Sequence, residues 1–450
     1  MEADFGVEDD TLSWFVTAYL IPFATGTIIY GRLADMFGTR RLIVFGVTLF
    51  AASSFLVAAA PTFWTAVGAR ALQGAGGTAI PALSMATIVH TTNLRQRPRA
   101  IGTFVIAVGL GFGLGPLVGG GLAEWAGWPG PFLFTGVALA VMVPFYWWFI
   151  PRVEGAPGQR FDVPGAFLVG IAITGGLLAL NRLPNHPSDV AGVAGAIVLL
   201  PAIALFVFRS RHIAQPFVDP SILKNSRFLT LCFVGMCIQG AHFAVVVMLP
   251  LLLERYHGLG IFAVGTHLLP GAAALGAAGI GAGWLAGRLG ARPFLIIGTW
   301  ILFNAALAFT VAGAGWTAGQ VGALYIAIAA GYGMVNAVVI SAATGELPPE
   351  RTGIGVGVFN LLFFLGGAIT VAGVGAILRL REDAIEPWVQ VFEGAPVEFS
   401  DASIVVLALA TVGFLLTMAL APQGEDQPEG VPTPPGDGIG RLKPNKPSDL

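Results

Sequence analysis

The stretch Gly31-Arg32-Leu33-Ala34-Asp35-Met36-Phe37-Gly38-Thr39-Arg40-Arg41 recurs further along the chain as Gly283-Trp284-Leu285-Ala286-Gly287-Arg288-Leu289-Gly290-Ala291-Arg292. Glycine, leucine, alanine, glycine and arginine hold the same offsets in both copies. Each copy closes an apolar run. Glycines there let the backbone turn tightly, and an acid at a helix end accepts bonds from arginines and from a neighbouring helix N-terminus. A duplicated segment of this kind predicts two similar bundles that move against each other around a central site.

Composition decides the medium in which those bundles stand. Of 450 residues 55% are hydrophobic and only 11% charged, and the mean hydropathy is +0.79. Soluble domains carry roughly 25% charged residues. A soluble enzyme, a nucleic-acid binder and a secreted disulfide scaffold are thereby excluded. Most of the 62 glycines, and a good share of the 30 prolines, lie within apolar runs, as suits close-packed membrane helices. Cys232 and Cys237, five residues apart, are read as small core residues rather than a bridge. The fold class is all-α, polytopic and membrane-spanning.

A crossing helix needs about 20 mostly apolar residues. Such stretches fall at 11–33, 41–60, 62–92, 98–123, 128–150, 162–183, 190–208, 227–253, 259–286, 293–313, 317–345, 352–378 and 402–421, thirteen in all. Counting Lys and Arg in the alternate connections and the span ends that border them gives 18 on one side against 4 on the other, with Arg70 alone in mid-span. The positive-inside rule then places the N-terminus outside and the C-terminus in the cytoplasm of a cell membrane. The expected divisions are an acidic outer segment (1–10), a first bundle (11–150), a linker with two inserted helices (151–226), a second bundle (227–421) and a disordered tail (422–450). In the second half the repeated motif closes the second helix, whereas in the first half it follows the first visible span. The repeat therefore predicts a fourteen-span plan with the opening helix lacking from this chain. The acidic connection 379–401 is read as a solvated outer loop in preference to a cation-attracting vestibule.

Several residues stand out chemically. Arg70 is the one Lys or Arg in the middle of a span rather than at its end, and an intramembrane charge is costly enough to be a functional candidate by default. Gln73 lies one turn on along the same face and can bond the guanidinium. The plainer reading is an arginine that merely ties helices together. The run Gly111 to Gly121, with Gly115, Pro116, Gly119 and Gly120, predicts close helix packing and a kink. Gln239 and His242 share a face of one span and His267 lies in the next; either histidine is a proton-coupling candidate or a satisfied core group. Tyr19, Asn304, Tyr332, Asn336 and Asn360 are further cavity candidates. Glu124 and Glu254 stand near outer helix ends, as entry-side proton acceptors or, on the plainer reading, as interface-exposed carboxylates. None of the three lysines follows a glycine, so the GKS or GKT end of a phosphate loop is missing, and no zinc-type Cys/His cluster or HExxH occurs. No cofactor, metal, nucleic acid or ATP is expected; the partners are the bilayer and a small lipophilic substrate, and the chain is expected to be a monomer.

Four stretches resemble a known family. They are Trp14-Phe15-Val16-Thr17-Ala18-Tyr19 leading into the Gly31–Arg41 loop; Arg70-Ala71-Leu72-Gln73-Gly74-Ala75-Gly76-Gly77 with Pro81; Gly111-Phe112-Gly113-Leu114-Gly115-Pro116-Leu117-Val118-Gly119-Gly120; and Gln215-Pro216-Phe217-Val218-Asp219 with Phe228. In this order and spacing they resemble the fourteen-span drug:proton antiporters of the major facilitator superfamily. The resemblance implies two pseudo-symmetric bundles with two inserted linker helices. It assigns Arg70 and Gln73 to proton or substrate coupling, and Gly31, Asp35, Gly38, Arg40 and Arg41 to a cytoplasmic gate. Gly111, Gly115, Pro116, Gly119 and Gly120 become a hinge between bundles.

The departures from the pattern are specific. Met36 and Thr39 replace basic residues, and Gly287 replaces an acid. Trp128-Pro129-Gly130-Pro131-Phe132 lacks the usual arginine and asparagine, and Asn360 is followed by Phe363 and Phe364 where an Arg-Gln pair is common. They imply an unusually apolar cavity. The expected function is proton-coupled efflux of lipophilic or amphipathic molecules by alternating access, with no enzymatic activity. The alternative is a non-transporting receptor or a degenerate transporter homologue.

Overall fold

The computed structural model describes residues 5–7, 9–93, 96–152, 162–183, 188–213, 216, 222–312, 315–348, 351–382, 384, 386–388 and 396–420. The tail 422–450 and the motif residues Gln215 and Asp219 lie outside them, as do the loop acids Asp383 and Glu393. Among the described residues fourteen α-helices follow one another: α1 (Asp9–Phe37), α2 (Thr39–Ala58), α3 (Phe63–Gly77), α4 (Ala79–Thr91), α5 (Arg97–Ala126), α6 (Gly130–Phe149), α7 (Val163–Arg182), α8 (Val190–His212), α9 (Ser226–Arg255), α10 (Ile261–Leu289), α11 (Arg292–Ala312), α12 (Ala318–Gly345), α13 (Thr352–Leu380) and α14 (Val397–Ala419). Ten of them are each long and apolar enough to cross a membrane, among the described residues.

Every expected span has its helix, with one difference. The stretch 62–92 forms two helices that meet at Thr78. Pro81 has no N–H to give the Gly77 carbonyl, so the ladder is broken there. The Thr78 hydroxyl instead donates to the Phe23 carbonyl of α1. The bend thus ties α3 and α4 to α1.

Local chemistry sets the helix ends. Asp162 caps α7 by accepting from Gly165 N at 3.0 Å, and Asp189 caps α8 through Gly192 N at 2.8 Å. The same two acids pair with Arg209 and Arg182, at 2.8 Å and 3.8 Å, so the inserted α7–α8 hairpin is pinned at both ends. The repeated motif makes the same turn twice: Gly38 has φ 81° between α1 and α2, and Gly290 has φ 78° between α10 and α11. Both are left-handed, which is why glycine stands at that offset in both copies.

The halves meet chiefly along two helix pairs, α1 with α13 and α5 with α10, and α5 also touches α12 and α4 touches α13. The motif equates α1 with α10, so each of the two chief pairs joins a motif helix of one half to a helix of the other. The main buried core gathers α9 to α14 around residues such as Ile238, Leu275, Leu302 and Val338. Helix α6 is different: almost none of it is buried and most of its residues are exposed, as on a lipid-facing element.

Candidate functional site

Arg70 projects from α3 into an aromatic box. Its guanidinium carbon lies 4.8 Å from the Phe15 ring, 4.5 Å from the Tyr19 ring and 5.6 Å from the Phe132 ring. Its Nη1 donates to Gln73 Oε1 at 2.6 Å and its Nε to the Phe15 carbonyl at 3.3 Å. Gln73, 2% exposed, passes the connection on by donating from Nε2 to Ser54 Oγ at 2.7 Å, and Ser54 donates to the Phe50 carbonyl. Placing an arginine in a bilayer costs about 2.5–3.5 kcal/mol on insertion scales. One charge-assisted hydrogen bond contributes about 1.5–3 kcal/mol and each desolvated cation–π contact about 0.5–2 kcal/mol, so this box offsets the cost without a carboxylate. Among the described residues no carboxylate lies within ion-pair distance of Arg70. Sequence spacing foresaw the Arg70–Gln73 pair; Ser54, on α2, carried no signal in the sequence.

The box leads by stacked rings to the centre of the molecule. Tyr19 stacks on Phe23 at 5.5 Å, and Phe23 meets Phe364 of α13 edge-on at 5.4 Å. Phe23, Phe364 and residues of α4, α5, α9 and α12 enclose a cavity of about 210 Å³ between the two halves. Its walls are largely phenylalanine, with polar atoms from Gln239, Tyr332, Asn336 and Asn360. The Tyr332 hydroxyl donates to Gln239 Oε1 at 2.6 Å and accepts from Asn336 Nδ2 at 3.2 Å. A larger space of about 590 Å³ opens between Thr25 and Ile29 of α1 and the apolar faces of α7 and α8. It has no amide or charged group among its described residues, and a small-molecule site needs a few placed polar groups. The central cavity has them.

Of the other cavity candidates, Tyr19 packs on Arg70 rather than lining the cavity. His242 is fully buried behind it, its ring 4.0 Å from that of Tyr332. His267 bonds the Ala263 carbonyl through Nδ1 at 2.7 Å, and Asn304 bonds the Trp300 carbonyl at 2.8 Å; both lie off the cavity. Phe23, Phe104, Phe243 and Phe359 were missed from sequence, because a phenylalanine facing a cavity looks the same as one facing lipid.

The residues expected to form a gate lie at the end of α1, in the α1–α2 turn and at the start of α2. A Cβ placed on Gly31 would stand 3.2 Å from the Gly357 Cα, so α1 and α13 touch backbone to backbone. One on Gly102 would stand 2.7 Å from the Gly279 carbonyl oxygen, so α5 and α10 do likewise. Arg97 Nη1 donates to Thr344 Oγ1 at 3.1 Å, adding a polar tie between α5 and α12. Arg40 turns elsewhere, its guanidinium 4.7 Å from the Trp147 ring of α6, and Arg41 is exposed. The Asp35 and Pro116 side chains are outside what is described. In the glycine run, a Cβ at Gly111, Gly115, Gly119 or Gly121 meets nothing within 4 Å. The tight α5–α10 contact is made instead at Gly102. Gly120 is half-buried.

The family model of the Major Facilitator Superfamily matches residues 1–371. The chain belongs to the major facilitator superfamily. This superfamily member is 25% identical over 372 residues to the riboflavin transporter RibZ of Clostridioides difficile, covering 81% of this chain and 80% of the relative. It is 25% identical to the multidrug resistance protein Stp of Mycobacterium tuberculosis, covering 84% of this chain and 71% of Stp. With the methylenomycin A resistance protein of Streptomyces coelicolor the identity is 27%, over 83% of this chain and 78% of the relative. Among solved structures, the human organic anion transporter MFSD10 superposes with a TM-score of 0.61 at 14% identity, over 89% of this chain and 83% of that one, a likeness of fold. The chain is therefore a multi-pass membrane transporter and not an enzyme.

Proposed function

We propose that this transporter is a secondary active exporter that exchanges protons for lipophilic or amphipathic small molecules by alternating access. The observation that carries this reading is the Arg70–Gln73–Ser54 chain, one stacked ring away from an apolar cavity that both halves enclose. An intramembrane guanidinium held by neutral partners sets the local potential. Its field changes whenever the ring stack between it and the cavity shifts. The residues 11–150 and 227–421 act as the two bundles, closing on one side where Gly31 meets Gly357 and Gly102 meets Gly279. The resistance-protein names of two relatives support export as the direction. An ion gradient is the driver, and no bound cofactor takes part.

The test is export of a fluorescent lipophilic dye from proteoliposomes under an imposed pH gradient. The wild type should move dye only while the gradient lasts, and Arg70→Ala should abolish that movement while the protein stays folded. Gradient-independent dye movement in the wild type refutes proton coupling, and full activity of Arg70→Ala refutes the role given to the arginine.

A further inference from the structure

The polar side of the central cavity is more specific than its apolar walls suggest. Asn336 Nδ2 donates to the Tyr332 hydroxyl, and that hydroxyl donates to Gln239 Oε1. Each amide has one donor end and one acceptor end, and the tyrosine uses one end of each. The remaining ends are the NH2 of Gln239 and the carbonyl of Asn336, and both residues line the cavity. Running the chain of bonds in the opposite sense swaps the two, and the cavity again sees one amide donor and one amide acceptor. Neither remaining end has a second partner among the described residues.

The tyrosine that organises this pair is itself fixed. Its ring is 2% exposed and stacks against His242 at 4.0 Å with an interplanar angle of 8°. The Tyr325 ring lies nearly parallel to His242 at 6.3 Å. A phenol held in such a stack cannot swing its hydroxyl away from the two amides. Around them stand Phe23, Phe104, Phe243, Phe359 and Phe364, and no charged residue lines the cavity among the described residues. A volume of about 210 Å³ falls below the roughly 300–1,000 Å³ typical of sites for drug-sized ligands. That size favours a small fused ring system.

We infer that the central cavity binds an uncharged, flat heteroaromatic ring bearing a lactam or imide edge, with the ring between the phenylalanines and the edge read by Gln239 and Asn336. Such an edge presents a carbonyl beside an N–H, the complement of an amide donor beside an amide acceptor. A lipophilic cation finds no carboxylate in this lining. The inference rests on the central cavity being the transport site.

The test is binding, which needs no gradient. The full chain in lipid nanodiscs is titrated with fluorescent 1,8-naphthalimide and with N-methyl-1,8-naphthalimide, which lacks the N–H. The wild type should prefer the unmethylated probe by about tenfold, the worth of one buried neutral hydrogen bond. Tyr332→Phe should lose that preference while still binding the N-methyl probe, which also reports that the variant is folded. Asn336→Leu, which leaves the tyrosine in place but removes the carbonyl that accepts the N–H, should lose it as well. Equal affinities in the wild type, no binding of either probe, or a preference that survives in both variants overturns the inference. Tighter binding of tetraphenylphosphonium than of naphthalimide overturns it too. Equal affinities alongside intact proton-driven dye export would defeat the inference and leave the proposed function standing. A clear preference in a protein that exports nothing would do the reverse.

Discussion

A substitution at Gly31 separates a moving contact from a static one. An added Cβ there lies 3.2 Å from the Gly357 Cα and 3.9 Å from its N, where ordinary contact begins at 3.4 Å. The atom it meets is backbone in the middle of a packed helix, so α13 has to shift as a body. Alanine demands a few tenths of an ångström. Valine adds two γ-carbons about 1.5 Å further out and cannot be absorbed so cheaply. Overpacking of that kind costs about 1–3 kcal/mol. At about 1.4 kcal/mol per decade this is roughly a 5- to 150-fold change in an equilibrium. The cost falls on the arrangement in which α1 and α13 touch, so Gly31→Val shifts the population toward the arrangement in which they are apart. Gly357 is the internal control. A Cβ on it meets nothing within 4 Å, so Gly357→Ala leaves the same crossing unstrained although it alters the partner glycine.

The assay is maleimide labelling of a cysteine placed at Ile354, half-buried and one turn from Gly357, after Cys232 and Cys237 are replaced by alanine. Gly31→Val should raise the labelling rate by roughly the factor above and slow dye export, with Gly31→Ala between it and the wild type. Unchanged labelling in Gly31→Val would show that α1 and α13 do not part during the cycle. A Gly357→Ala protein as impaired as Gly31→Ala would show that glycine matters there for some reason other than the contact.

Two further substitutions probe the charges. Arg70→Lys keeps the charge but cannot bond Gln73 and the Phe15 carbonyl together or lie flat among three rings, so proton-driven export should fall about tenfold or more; wild-type rates would show that a point charge suffices. Asp401, fully buried at the start of α14, accepts from Arg381 Nε at 2.6 Å and Trp388 N at 2.8 Å, so Asp401→Ala should cost about 3 kcal/mol and lower the melting temperature in detergent; an unchanged melting curve refutes that holding role.

What could be read from the sequence was what the bilayer or the backbone dictates one residue at a time. Apolar length gave each span because lipid tolerates few alternatives to a helix. The repeated glycine gave the matching turns at Gly38 and Gly290 because only glycine takes that φ without strain. The Arg70–Gln73 pair was legible because three residues make one helical turn. Thr78 shows where this stops. Pro81 signals a lost hydrogen bond, but that the freed segment turns to the Phe23 carbonyl depends on α1 passing beside it. The glycine run on α5 shows the same limit from the other side. Glycines at three- and four-residue spacing state that a helix can be approached closely, not that it is. A Cβ at Gly111, Gly115 or Gly119 stands in open space, whereas Gly102, outside the run, meets α10. The amide pair in the cavity was the least legible of all. Gln239 lies on α9 and Asn336 on α12, and what joins them is a tyrosine hydroxyl whose direction is set by a histidine ring. Recognition in this protein therefore depends on contacts between helices far apart in sequence, while the span pattern that reveals the family is local. That division is why the superfamily could be identified from a line of residues and the chemistry of the cavity could not.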